Sequence, residues 1–211
     1  RCDSLENIII PDSVTTINEY TFVDCANLKN LTLTYVTGFY TYSFSGCNSL
    51  KYINVGYTIN SYNFRNFLKS SYITHVYIMD TITSINDNCF SDCVRLVSVT
   101  IGNSVRTIGN SAFKNCNSLK YITIPNSVTS IQLSSFYNCQ LKYVTIGKYV
   151  NSVRWFDITY EMTSITHIYI IKGVTQLTSS VFSGRSSLTD VTIPETVTEI
   201  GDRAFYQCTK L

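Results

Sequence analysis

The sequence predicts a repeat solenoid: short parallel strands stacked on one face, joined by short helical turns and by second short strands elsewhere. Three observations carry that prediction. Apolar residues recur every 23 or so positions, a cysteine recurs in phase with them, and strand-forming residues abound while Gly and Pro, the usual turn residues, are scarce. The 211 residues hold 16 Tyr, 11 Phe and 8 Cys against 9 Gly and 3 Pro. With 45% hydrophobic and 14% charged residues, the chain is too apolar to be disordered and long enough to bury a sizeable core. A net charge of +2 is no general footprint for nucleic acid. No run approaches the roughly 20 apolar residues of a membrane span, so no insertion by this segment is expected. The chain opens Arg1-Cys2-Asp3-Ser4 without an apolar stretch, so a signal peptide is read as absent or as lying outside the segment.

Units begin at Leu5, Leu28, Leu50, Ile73, Leu96, Leu119, Leu141, Ile165 and Leu188, with steps of 23, 22, 23, 23, 23, 22, 24 and 23. A further step of 23 lands on Leu211, and Cys2-Asp3-Ser4 reads as the tail of an earlier unit. Residues 1–211 are therefore expected to be a single array of nine units belonging to a longer one. Within a unit the apolar positions are 1, 4, 6, 10, 13 and 18, with Cys at or next to 21. In the fifth unit these are Leu96, Val99, Ile101, Val105, Ile108, Phe113 and Cys116. Positions 4 and 6 alternate with polar or aromatic neighbours, the pattern of a half-buried strand. A second short apolar pair, Val105 with Ile108 or Val128 with Ile131, follows a Gly-x-Ser or Pro-x-Ser turn. The stretch from Gly109 to Cys116 reads as a short helical turn capped by Asn or Ser. One such coil cannot bury its apolar side alone, and stacking makes the core continuous.

The clearest copies are Leu119 to Cys139, LKYITIPNSVTSIQLSSFYNC, and Leu188 to Cys208, LTDVTIPETVTEIGDRAFYQC. The unit LxxIxIPxSVTxIGxxAFxxC closely resembles the BspA-like class of leucine-rich repeat, named for bacterial surface proteins and abundant in surface proteins of parasitic protists such as trichomonads. The resemblance covers essentially the whole chain. It implies a cell-surface or extracellular protein concerned with adhesion, with the strand face as the usual binding face. Four units depart from the pattern. The second reads Thr34-Tyr35-Val36-Thr37 in place of the turn; the third reads Gly56-Tyr57-Thr58-Ile59 and puts Ser70 at the cysteine position. The seventh is one residue longer, with Ile158 for Phe, Glu161 for Cys and the only Trp, Trp155; the eighth has Arg185 for Cys. Those coils are expected to be less regular.

Seven cysteines, Cys2, Cys25, Cys47, Cys93, Cys116, Cys139 and Cys208, share one phase to within a residue. Periodic placement beside core residues favours buried free thiols over disulfides or metal ligands. The one close pair, Cys89-x-x-x-Cys93, has no second pair and no nearby His to complete a zinc site. His75 and His167 both fall at position 3, four coils apart. At strand spacing that is about 19 Å, too far to share a metal or a substrate atom. No Ser, His and carboxylate recur in a G-x-S-x-G context, and Gly147-Lys148-Tyr149 lacks the rest of a phosphate loop. Neither an enzyme nor a cofactor is expected.

The strand face carries more. Position 3 reads Asn7, Asn30, Tyr52, His75, Ser98, Tyr121, Tyr143, His167, Asp190; position 5 reads Ile9, Thr32, Asn54, Tyr77, Thr100, Thr123, Thr145, Tyr169, Thr192. Both point away from the core. Rigid amphipathic Tyr beside adaptable hydroxyls and amides is a composition favoured in binding surfaces, and it also ladders well across strands without any ligand. Tyr52, His75, Tyr77, Tyr121, Tyr143, His167 and Tyr169 are the candidate ligand-binding residues. Between Asp92 and Asp157 there is no Asp or Glu, while Arg95, Arg106, Lys114, Lys120, Lys142, Lys148 and Arg154 supply seven positive charges. Such a belt suits a sulfated glycan, an acidic protein or an anionic surface, and it suits an ordinary solvated surface too. Lys29, Lys51, Lys120 and Lys142 share position 2 and form a row beside the strands. Asn30-Leu31-Thr32, the only N-glycosylation acceptor, falls on a predicted strand. Two readings follow: an adhesion module with a protein or glycan partner on a host or neighbouring surface, or a spacer array able to associate end to end.

Overall fold

The computed structural model describes residues 2–40, 42–57, 62–151 and 163–211. Trp155, Ile158 and Glu161, the Arg154 and Asp157 that close the charge belt, and Thr58 and Ile59 of the third unit lie outside the described residues.

Each unit supplies one strand of a nine-stranded sheet: Asn7–Ile10, Asn30–Leu33, Tyr52–Val55, His75–Ile78, Ser98–Ile101, Tyr121–Ile124, Tyr143–Ile146, His167–Ile170 and Asp190–Thr192. All neighbours pair in parallel and in chain order. In the inner units the residues at positions 4 and 6, such as Ile53 with Val55 and Val99 with Ile101, are buried while those at 3 and 5 are not. That alternation fixes the register, because a slip of one residue would turn the buried pair outward.

Second, shorter strands form smaller parallel sheets: Thr16–Ile17 with Gly38–Phe39, then Ser84–Ile85, Thr107–Ile108 and Ser130–Ile131 together, then Gln176–Leu177 with Glu199–Ile200. Among the described residues units three and seven contribute no strand to this row. In unit three the α-helix Tyr62–Ser70 follows the main strand, burying Phe64, Phe67 and Leu68; in unit seven the 3₁₀ helix Lys148–Asn151 does so. Units two and eight keep their second strands despite their altered sequences.

Ser130–Ile131 is the outer strand of its three-stranded sheet, and Tyr149 of unit seven caps it. The Tyr149 ring is buried; its hydroxyl accepts from the Ile131 N–H at 3.2 Å and donates to the Ile131 carbonyl at 3.3 Å. One phenol thus serves both backbone groups that a further strand would pair. The helix of unit three is tied to the next coil through Lys69, whose Nζ lies 2.8 Å from Asp92. Asp92 also accepts from Asn115, and Asn115 from Asn138, giving a side-chain ladder down three coils. The bond from Lys69, then that from Asn115, holds the Asp92 carboxyl at about 2.

In the regular units the segment after the second strand winds as consecutive turns and not as the expected helical turn. Two residues in each take positive φ: Asn88 and Asp92, Ser111 and Asn115, Ser134 and Asn138. Asn, Asp and Ser are therefore needed here for the left-handed conformation more than as helix caps. This also explains the shortage of Gly, which fills the equivalent place only at Gly46 and Gly184. The turn points N–H groups at the following coil: Phe90 bonds the Ala112 carbonyl, Phe113 that of Ser135, and Asp92 that of Lys114, all at 2.7 Å. A helix would have spent those donors internally.

Inside the turns runs a spine of stacked rings. Phe90, Phe113 and Phe136 lie 5.1 and 5.2 Å apart with their planes almost parallel, and Phe22 with Phe44 and Phe182 with Phe205 continue the theme. The phased cysteines serve this spine. The thiols of Cys47, Cys116, Cys139 and Cys208 donate to the carbonyls of Phe22, Phe90, Phe113 and Phe182 in the preceding coil at 3.0 to 3.1 Å. None of the eight cysteines is in a disulfide. Burial pushes Cys47 up to about 11 and Cys93 up to about 12. The bond with Cys139, then burial, raises Cys116 well above its ordinary value.

Two outcomes are expected. Tyr149→Phe leaves the Ile131 N–H and carbonyl unpaired, lowering stability by about 1–3 kcal/mol in urea titration without changing the fold seen by circular dichroism. Thiol labelling of the native chain should modify exposed Cys2 quickly and half-buried Cys208 more slowly, sparing the six buried thiols until denaturant is added.

Candidate functional site

The outward positions of the main sheet form two columns in continuous register, and all seven candidate residues lie on them. Column one pairs Tyr52 with His75, His75 with Ser98, Ser98 with Tyr121, Tyr121 with Tyr143, and Tyr143 with His167. Column two pairs Tyr77 with Thr100, Thr100 with Thr123, Thr123 with Thr145, and Thr145 with Tyr169. The seven are not one patch but two. Tyr52 stacks on His75 at 4.7 Å, with Tyr77 two residues on in the same strand as His75. Four residues on three strands make the other: Tyr121 on Tyr143 at 4.8 Å, Tyr143 on His167 at 4.7 Å, and His167 with Tyr169 at 6.5 Å. Ser98 and Thr100 separate them.

Stacking has a consequence that composition does not show. Rings that lie face to face along a column offer their edges and hydroxyls to solvent, so the phenol groups are the presented chemistry. Tyr52, Tyr77, Tyr121 and Tyr169 are 38 to 49% exposed. Both histidines are held alike: Thr74 Oγ1 lies 2.8 Å from His75 Nδ1, and Thr166 Oγ1 2.8 Å from His167 Nδ1. Each threonine hydroxyl is also within reach of the preceding lysine's carbonyl, Lys51 or Lys142. When the hydroxyl proton goes to that carbonyl, Nδ1 carries the ring proton and Nε2 faces outward as an acceptor.

A concavity of about 470 Å³ opens over this face, lined by Ser98, Thr100, Tyr121, Thr123, Tyr143, Thr145 and Tyr169. Its floor of hydroxyls and wall of phenols carries no charged side chain. Charge stands before the strands, where Lys51, Lys120 and Lys142 are exposed at position 2; Lys29, the fourth of the row, is paired with Glu6 at 2.8 Å. At the far end of the sheet Asn30 donates to the Asn7 side chain, so the amide of the glycosylation acceptor is already engaged. A smaller hollow of about 200 Å³ lies on the opposite side, between Tyr42, Phe44, Cys47, Phe67 and Tyr72. Among the described residues no three His, Cys, Asp or Glu side chains gather closely enough to hold a metal ion. No helix among them is long and apolar enough to cross a membrane.

The family model for the BspA type leucine rich repeat region matches residues 1–97 and 83–211, in six copies. The chain belongs to that family. Among curated proteins no sequence matches this one. Solved structures similar to it include a leucine-rich repeat protein from Bacteroides ovatus, 22% identical with a TM-score of 0.39, the alignment covering 100% of this chain and 66% of that one. A leucine rich cell surface protein from Faecalibacterium prausnitzii is 23% identical with a TM-score of 0.39, covering 100% and 79%. The pneumococcal vaccine antigen PcpA is 18% identical with a TM-score of 0.45, covering 99% and 60%. The chain thus spans 66% of the Bacteroides protein and 60% of PcpA. What carries the BspA-type assignment is the family model, in agreement with the unit read from the sequence.

The ladder makes a stability forecast of its own. Tyr143→Ala removes the central ring of a three-ring stack and should cost about 1–3 kcal/mol, since each stacked pair adds about 0.5–1.5 kcal/mol. Tyr77→Ala, whose neighbours in its column are Asn54 and Thr100, should cost clearly less. Parallel thermal melts of the two variants make the comparison; equal losses would mean that the stack contributes nothing beyond strand propensity.

Proposed function

We propose that this BspA-type array is a non-enzymatic binding module of a cell-surface or extracellular protein, and that it recognises a macromolecular partner over the Tyr-rich strand face. The observation that carries the reading is the uncharged concavity flanked by phenols on a rigid sheet. Every strand beneath it is paired on both sides, so binding requires little ordering of the backbone. Tyrosine hydroxyls, threonine hydroxyls and the outward Nε2 atoms offer donors and acceptors on a surface that is otherwise apolar and readily desolvated. The surface location is part of the proposal and follows from the associations of the repeat class. Adhesion to matrix or neighbouring cells is the use such a face would serve there.

The spacer reading is favoured by the same ladder in one respect: stacked rings and threonines satisfy one another without a partner. The two readings separate on the double substitution Tyr121→Ala with Tyr143→Ala. Binding of the array to immobilised matrix proteins and to sulfated glycans, measured by surface plasmon resonance, should weaken at least about tenfold, as expected when central aromatic contacts are truncated. Unchanged binding by a folded double variant rejects the strand face. Concentration-dependent association in light scattering, with no captured partner, identifies a spacer instead.

A further inference from the structure

The ring column at position 3 has one rung missing. From Tyr52 to His167 its six members stand in unbroken strand register, and only Ser98 is not a ring. His75 has one face against Tyr52, and Tyr121 has one face against Tyr143, at 4.7 and 4.8 Å. Their other faces are both turned toward Ser98. Two strand steps separate the two rings, about 9.6 Å, so a planar ring seated over Ser98 would lie about 4.8 Å from each. That is the spacing at which the column already stacks. The slot is a gap of one ring in a ladder of rings, and it opens onto the concavity that Ser98, Thr100 and Tyr121 line.

Charge defines what should carry the ring. Lys120 is exposed one residue before Tyr121, on the strand next to that of Ser98, and Lys142 is exposed one strand further on. Ser98 and Tyr121 sit within the stretch between Asp92 and Asp157 that contains no acidic residue, while Asp80, which follows His75 in the chain, lies beyond the opposite end of that strand and accepts from the Asn103 N–H. An acidic segment that enters from the lysine end is therefore attracted there. We propose that the strand face takes a protein partner through an aromatic side chain inserted over Ser98, between His75 and Tyr121, from a segment whose carboxylates meet Lys120 and Lys142. This rests on the strand face being the binding surface, and it names the partner's chemistry and the point of entry.

The test uses the whole chain and two probes, the capped pentapeptides Glu-Glu-Tyr-Glu-Glu and Glu-Glu-Leu-Glu-Glu, titrated into isotope-labelled protein by NMR. The tyrosine peptide should bind about three- to tenfold more tightly than the leucine peptide, the range expected of an added aromatic stack. It should shift the ring signals of His75 and Tyr121 most. Ser98→Tyr fills the slot from within: the preference for tyrosine should disappear and the melting temperature should rise by a few degrees. Ser98→Ala should keep the preference. Tyr121→Ala, which removes one wall, should abolish it even if the filled variant folds poorly. Equal binding of the two peptides overturns the proposal, as does a tyrosine preference that survives Ser98→Tyr. A heparin fragment that binds through Lys120 and Lys142 where neither peptide does overturns it in favour of a sulfated glycan. Should Tyr121→Ala with Tyr143→Ala abolish matrix binding while the two peptides bind alike, the slot fails and the binding face stands.

Discussion

Everything in this chain depends on the in-phase stacking of one coil on the next at strand spacing. Parallel pairing sets that spacing at about 4.8 Å, and each other feature is compelled to adopt it. The buried phenylalanines stack at 5.1 and 5.2 Å and the surface rings at 4.7 to 4.8 Å because their backbones are already there. The thiols reach back one coil to the phenylalanine carbonyls at 3.0 to 3.1 Å for the same reason. A single coil has none of these contacts, so its apolar residues and its turn N–H groups gain partners only from a neighbour.

That dependence decides how much could be read from the residues alone. Apolar positions 4 and 6 place every main strand and its register to the residue, as the Tyr121 to Tyr143 to His167 alignment shows. Buried pairs cannot slip without exposing themselves, so the pattern is unambiguous. The turn segment was less legible. Asn and Ser suit both a helix cap and a left-handed turn, and only the hydrogen bonds from Phe113 and Asn115 to the following coil settle which one is used. Tyr149 was invisible as a structural residue, because nothing in its place in the unit shows that its hydroxyl pairs the backbone of Ile131 in the preceding coil. The candidate residues were all found on one face, yet ring orientation could not be deduced from composition. It is orientation that divides seven residues into two groups.

The departures from the repeat therefore differ in kind. Some are absorbed: the altered turn of unit two and the Arg185 of unit eight leave their second strands in place. Others change the architecture: units three and seven each carry a helix, Tyr62–Ser70 and Lys148–Asn151, and each brings its own means of repair. In unit three Lys69 anchors the helix to Asp92 of the next coil; in unit seven Tyr149 closes the sheet edge. Both repairs are single side chains bonded across coils.

A third kind of departure disturbs nothing inside. Ser98 and Thr100 occupy outward positions of the most regular part of the array, where Val99 and Ile101 pack without fault. The core neither requires nor resists a ring at position 3, as the neighbouring units prove by carrying rings there. A small residue at that one point thus has no structural cause in the coil that bears it, while its effect on the surface is specific: it interrupts the ring column and turns two ring faces toward each other. In a molecule where one translation repeats nearly everything, selectivity for a partner has to come from the places where the translation fails outwardly, and the strand face has its clearest such place at Ser98.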